Sequence, residues 1–209
     1  MPPEPHPACR FVAEPPQEPL PDARWAATLT RHFLGACDAL DDEDLGEPGA
    51  VAFHPDRTWH GRTYVPATTH TSEGYELFGY VSFRPRGEER DPSEFSAVAD
   101  FTSETAADNP DWQLDLCEEV VGVWRGDEGV TADMTLVWGR PLVEGGDVVT
   151  ADLGDLTVDQ CALVDDRFTL LAPDGYRGAT LACKLYDDAG TEIAQESLYE
   201  DDGEDDEDD

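Results

Sequence analysis

The stretch Trp112–Trp138, WQLDLCEEVVGVWRGDEGVTADMTLVW, decides the fold. In its second half Val130, Ala132, Met134, Leu136 and Trp138 fall on one side of the chain, and Thr131, Asp133, Thr135 and Val137 on the other. A period of two residues marks a strand with one buried face. Glu119 to Arg125 is β-branched and aromatic, and the polar link Gly126-Asp127-Glu128-Gly129 joins the two runs as a hairpin connection would. Three of the chain's five tryptophans, Trp112, Trp124 and Trp138, lie here, so this stretch is expected to form the core.

Working outward toward the N-terminus, the same alternation recurs in Tyr75-Leu77-Gly79-Val81-Phe83, whose opposite side also carries the apolar Phe78 and Tyr80. Shorter β runs are predicted at Val51 to Phe53, Thr58 to Val65 and Phe95 to Thr102, with Arg84 to Pro92 read as a charged loop. Asp111 to Glu118 fits either a helix opened by Asn109-Pro110 or a strand. Beyond Trp138, strands are expected at Val148 to Leu153, Leu156 to Val164 and Arg167 to Ala172. A final hairpin pairs Ala179–Tyr186 with Thr191–Tyr199 around Asp187-Asp188-Ala189-Gly190.

One segment has the other period. Trp25, Leu29, Phe33, Cys37 and Leu40 repeat every three to four residues after a capping Asp22, which predicts an amphipathic helix over about 22–40. Many strands with one helix give a mainly β fold: an antiparallel sandwich or barrel with a single N-terminal helix. Residues 1–21 hold eight of the sixteen prolines, and 200–209 are acidic except for Gly203. Both are expected to be peripheral, a flexible leader and a disordered tail, which leaves 22–199 as a single β-rich domain.

Charge is the strongest compositional signal. The chain has 48 acidic and 13 basic residues, a formal net charge of −35. Without the nine carboxylates after Tyr199 the body still carries 39 acids against 13 bases, so acidity belongs to the whole surface. The basic footprint that phosphates demand is missing, which excludes direct nucleic-acid binding. Two explanations compete. Hydrated carboxylates keep a protein soluble in concentrated salt, where screening shrinks to a few Å. Alternatively, the surface recognises a basic partner or mimics a polyanion.

Cys9, Cys37, Cys117, Cys161 and Cys183 are odd in number, widely spaced and contain no Cys-x-x-Cys, so neither a disulfide framework nor a zinc knuckle is expected. Cys117 precedes Glu118-Glu119, which raises a thiol pKa and disfavours nucleophilic chemistry. The N-terminus is not basic then apolar, and no apolar run reaches membrane-spanning length. The expectation is a soluble cytoplasmic protein.

The densest group of chemically able side chains runs from His54 to Glu76. Within it His54, His60, Arg62, Tyr64 and His70 form a weak candidate ligand pocket. His54-Pro55-Asp56 has the shape of a facial-triad pair, but no histidine follows His70 to complete it, and no cupin-like His-x-His is present. Gly-x-Ser-x-Gly elbows and glycine-rich phosphate loops are also missing. Neither catalytic residues nor a metal or other cofactor is expected. The sequence favours a non-catalytic acidic protein that docks on a basic protein surface, as an inhibitor, immunity or DNA-mimic protein would, with salt adaptation compatible with that role. A small enzyme or ligand-binding β-barrel, and a coat or shell subunit of a halophilic system, are the alternatives.

Overall fold

The computed structural model describes residues 23–40, 45–86, 90–126 and 129–199. The expected leader at 1–21, the capping Asp22, the acidic tail at 200–209 and the middle of the Gly126–Gly129 link lie outside the described residues. Helix α1, Ala23–Cys37, is followed by twelve strands. These are β1 (Ala52–Phe53), β2 (Arg57–Trp59), β3 (Arg62–His70), β4 (Glu76–Arg86), β5 (Arg90–Thr102), β6 (Leu114–Arg125), β7 (Thr131–Pro141), β8 (Val148–Leu153), β9 (Leu156–Ala162), β10 (Phe168–Asp174), β11 (Leu181–Tyr186) and β12 (Glu192–Ser197).

All pairings are antiparallel, and they make three sheets: β1-β3-β4-β5 with β2 also on β3, β10-β7-β6, and β12-β11-β8-β9. None closes into a barrel, so the sandwich form of the expected fold is the one adopted. The first sheet lies between α1 and the middle sheet, and the strand period sorts its side chains. Val65, Ala67, Leu77, Val81 and Phe83 meet Leu29 and Phe33 of α1, while Tyr64, Phe78 and Tyr80 point the other way onto Met134, Leu136, Trp138 and Leu171. Complete burial of Leu29 and Phe33 contributes about 1.5–3 kcal/mol each and fixes the helix on the sheet.

The middle sheet is covered on both faces. Leu136↔Leu171 is a cross-strand pair facing the first sheet, and its neighbour Val137↔Leu170 faces the third sheet, where Val149, Ala151, Leu181, Cys183 and Leu185 complete the core. Every residue of β10 is buried, Thr169 and Asp174 included.

Several local expectations need correction. Arg84–Pro92 is not simply a loop: β4 runs on to Arg86 and β5 starts at Arg90, with Arg84↔Ser93 and Arg86↔Arg90 paired across two register shifts. Bulges of this kind let a strand carry Pro85 and Pro92 without breaking the ladder. The run Thr58–Val65 is two strands, because His60 (φ 51°) and Gly61 (φ 70°) form a two-residue turn between paired Trp59 and Arg62. Positive φ at both central positions is the geometry whose twist suits a tight hairpin. The open stretch Asp111–Glu118 becomes strand from Leu114. Gly122 at the β6 bulge sits where a Cβ would collide with the Trp59 ring, so the absence of a side chain lets the first and middle sheets close on each other. Among the described residues no helix is long and apolar enough to cross a membrane.

Candidate functional site

The five residues singled out from the sequence do not converge on one pocket. His60 occupies the β2–β3 turn with its ring 4.4 Å from that of Trp59. Arg62 spends Nη1 on Ser82 Oγ and the Glu94 carbonyl, each at 3.0 Å, tying β3 to the β4–β5 hairpin. Tyr64 is buried between sheets, edge-on to Tyr80 at 5.5 Å. Of the five, His54 and His70 line a common cavity, a small one of about 190 Å³ that also includes Thr68, Glu76, Asp115, Cys117, Arg140 and Arg167.

His54 is 3 % exposed, with Nε2 3.4 Å from Thr68 Oγ1. Burial, then the nearby Arg167 charge, push its pKa down to about 3 against the pull of the Gly139 and Phe168 carbonyls. The imidazole is therefore neutral at all ordinary pH values. His70 is largely exposed at the end of β3, its Nε2 3.7 Å from Glu76 Oε2.

The larger cavity, of about 580 Å³, opens where β4 of the first sheet, the edge strand β6 of the middle sheet and the edge strand β12 of the third sheet meet. Reciprocal hydrogen bonds hold its far end. Gln113 N–H donates to Glu196 Oε1 at 2.7 Å, and Gln195 N–H donates to Gln113 Oε1 at 3.2 Å. Its walls carry the carboxylates of Glu76, Glu104, Asp115, Glu118 and Glu196 around an apolar surface of Phe78, Trp112, Leu114, Leu116 and Leu198. No lysine or arginine lines it among the described residues. Trp112, expected in the core, is half-exposed and belongs to this wall, while Trp138 is fully buried as anticipated.

Glu76, Asp115 and Cys117 form the partition between the two cavities. Glu76 is 7 % exposed, and the Cys117 thiol donates to its Oε1 at 3.8 Å. Burial, then the Asp115 charge, raise the Glu76 pKa, opposed by His70 and Arg140. Cys117 is pushed well up by burial and by Glu76 and Asp115, so its sulfur is a protonated donor rather than a nucleophile. Glu118 is raised by burial and then by Asp174 and Glu119. Its Oε2 is shielded from solvent and finds no hydrogen-bond donor among the described residues. Among the cleft carboxylates Asp115 has a guanidinium beside it, Arg140 Nε at 2.9 Å on Oδ2.

At the rim, the Tyr199 hydroxyl donates to Asp174 Oδ2, whose other oxygen accepts from the Gly175 and Leu181 amides at 2.7 and 2.9 Å. That phenol is held protonated, first by its bond to Asp174 and then by burial. No group of three or more His, Cys, Asp or Glu side chains among the described residues has the geometry to hold a metal ion.

The cleft thus presents a concave, partly apolar surface with a surplus of carboxylates. Glu76 stood inside the densest stretch of the sequence, but Asp115, Glu118 and Glu196 were three acids among 48, with no local signal to pick them out. Comparison with known protein families, with curated proteins and with solved structures returned no match to this chain.

Proposed function

We propose that this protein is a non-catalytic interaction module that docks on a basic surface of a partner protein, in the manner of an inhibitor, an immunity protein or a nucleic-acid mimic. The observation that carries this reading is the cavity of about 580 Å³ between β4, β6 and β12, which has five carboxylates on its walls and no basic side chain among its described lining residues. Concave, low-dielectric walls of one sign focus the field and raise the local concentration of oppositely charged groups. The surplus of 35 negative charges over the chain acts at longer range and steers such a partner inward. The free, buried thiols of Cys37, Cys161 and Cys183 support a reducing, cytoplasmic setting, with burial holding Cys37 near pKa 11 and Cys183 near 12.

The test is a titration of the full chain against polyarginine and against a polyanion, each from dilute buffer to molar KCl. Binding of the polycation alone, weakening steeply with salt, is expected. A flat salt response, or equal binding of the polyanion, would refute the reading.

A ligand pocket draws support from one arrangement, the pairing of His54 and His70 at the smaller cavity. If that cavity takes a small ligand, His70→Ala changes the response to a fragment screen followed by NMR. An unaltered response leaves only docking.

A further inference from the structure

Building on the docking function proposed above, we infer that the cleft between β4, β6 and β12 is a socket for a single arginine side chain projecting from the basic partner. Three independent features of the cleft converge on this occupant.

The first is its mixed lining. Leu114, Leu116 and Phe78 offer an apolar track, which a lysine or arginine stem covers well while its charged head reaches a polar end. The second is the aromatic share of the wall. Phe78 and Trp112 supply π surface, and a weakly hydrated, planar guanidinium is attracted to such surface more readily than a compact ammonium. The third is the Glu118 carboxyl itself, half-buried on the wall and with no lysine or arginine among the described lining residues. A partly desolvated carboxylate gains most from a fork of N–H donors.

Charge complementarity selects against the other occupants. A second copy of this chain would bring more negative charge to Glu76 and Glu118, whose pKa values burial and neighbouring acids already raise. An anionic or neutral peptide would leave those carboxylates in uncompensated proximity.

The experiment uses the full chain and two synthetic probes, a short peptide of alternating glycine and arginine and its glycine–lysine counterpart, measured by calorimetry at fixed salt. Three variants are compared: Glu118→Gln and Trp112→Leu in the cleft, and Glu144→Gln on the exposed β7–β8 connection. Glu144→Gln removes the same unit of charge elsewhere, and circular dichroism checks that each variant is folded. The expected result is that the arginine peptide binds more tightly than the lysine peptide. Glu118→Gln then weakens it by ~10-fold or more, as removal of a desolvated ionic partner does, while Glu144→Gln changes it by less than ~2-fold, as for a distant screened charge.

Equal losses from Glu118→Gln and Glu144→Gln, or equal affinities for the two peptides, would overturn the socket while leaving charge-driven docking intact. Failure of both peptides and of polyarginine to bind would remove the socket and the docking function together.

Discussion

The Arg57 guanidinium on β2 and the Asp159 carboxylate on β9 meet across the edge of the middle sheet, with Nε 3.4 Å from Oδ2 and side chains only 1 % and 10 % exposed. Arg57 Nη2 also donates to the Gln160 carbonyl at 2.9 Å, and Asp159 Oδ2 accepts the Leu171 amide at 2.8 Å. One charged pair thus joins the first sheet to the third and covers the outer edge of β10 in the second. Burial raises the Asp159 pKa even against Arg57 and the Leu171 and Gln160 amides, so desolvation outweighs attraction here.

A buried pair of this kind costs most when it is halved. Asp159→Ala strands a guanidinium and a strand amide together, and should destabilise the fold by about 3–5 kcal/mol in urea unfolding. The double change Arg57→Met with Asp159→Leu should cost clearly less than the sum of the single losses. Strict additivity would mean that the two groups contribute separately and do not bind the sheets as a unit.

His60 has a backbone role. At φ 51° in the two-residue turn it holds a conformation that Asn and Gly adopt more readily. His60→Asn should leave stability unchanged or raise it by up to ~1 kcal/mol, and should leave binding of the arginine peptide untouched. A substantial drop in melting temperature would show that the His60 contact with Trp59 outweighs the turn preference.

The pH dependence contains two opposed contributions. His54, lowered from 6.5 to about 3, leaves the folded state with fewer protons than the unfolded chain. Its contribution is full above pH 6.5 and is lost as the pH falls toward 3. The raised carboxyls of Glu76, Glu118, Glu119 and Asp159 do the reverse, adding stability at low pH that disappears as the pH rises through their folded values. In molar KCl, which screens the surface charge, His54→Gln should remove the histidine contribution. Between pH 6.5 and 5 the parent should then lose about 2 kcal/mol relative to the variant. Parallel pH profiles would place the acid-sensitive group elsewhere.

Surface repulsion sets the response to salt. With 48 acidic against 13 basic residues, carboxylates far outnumber the cations that can pair with them, as Arg84 does with Glu94, Arg140 with Asp115, and Lys184 with Asp152 and Glu192. The urea midpoint should therefore rise from dilute buffer to molar KCl as screening shortens. A midpoint already at its maximum in dilute buffer would reject salt adaptation as the reason for the charge, leaving recognition to account for it.

Alternation of side chains was enough to read most of this fold, because a strand displays its burial in its own period. Val148–Leu153 matches the observed β8 end to end, and the apolar residues on both sides of Tyr75–Phe83 meet α1 on one face and the middle sheet on the other. The helix spacing from Trp25 to Cys37 was equally direct. Local rules failed where backbone geometry overrode residue type. The His60-Gly61 turn was overlooked although Gly61 was a signal for it, and the β4–β5 bulges carried strands through prolines that usually end them.

By itself the sequence determined the β architecture, the single helix and the sign of the surface, since each of these is a property of neighbouring residues or of totals. Only the tertiary structure decided which acids share a wall. Glu76, Asp115, Glu118 and Glu196 come from three strands in three different sheets. Their juxtaposition depends on sheet stacking and on the Gln113–Glu196 link, and neither leaves a periodic trace along the chain. For the same reason His54, His60, Arg62, Tyr64 and His70 looked like a group and were not one: a connection before β2, the β2–β3 turn and the two ends of the nine-residue β3 hold them apart.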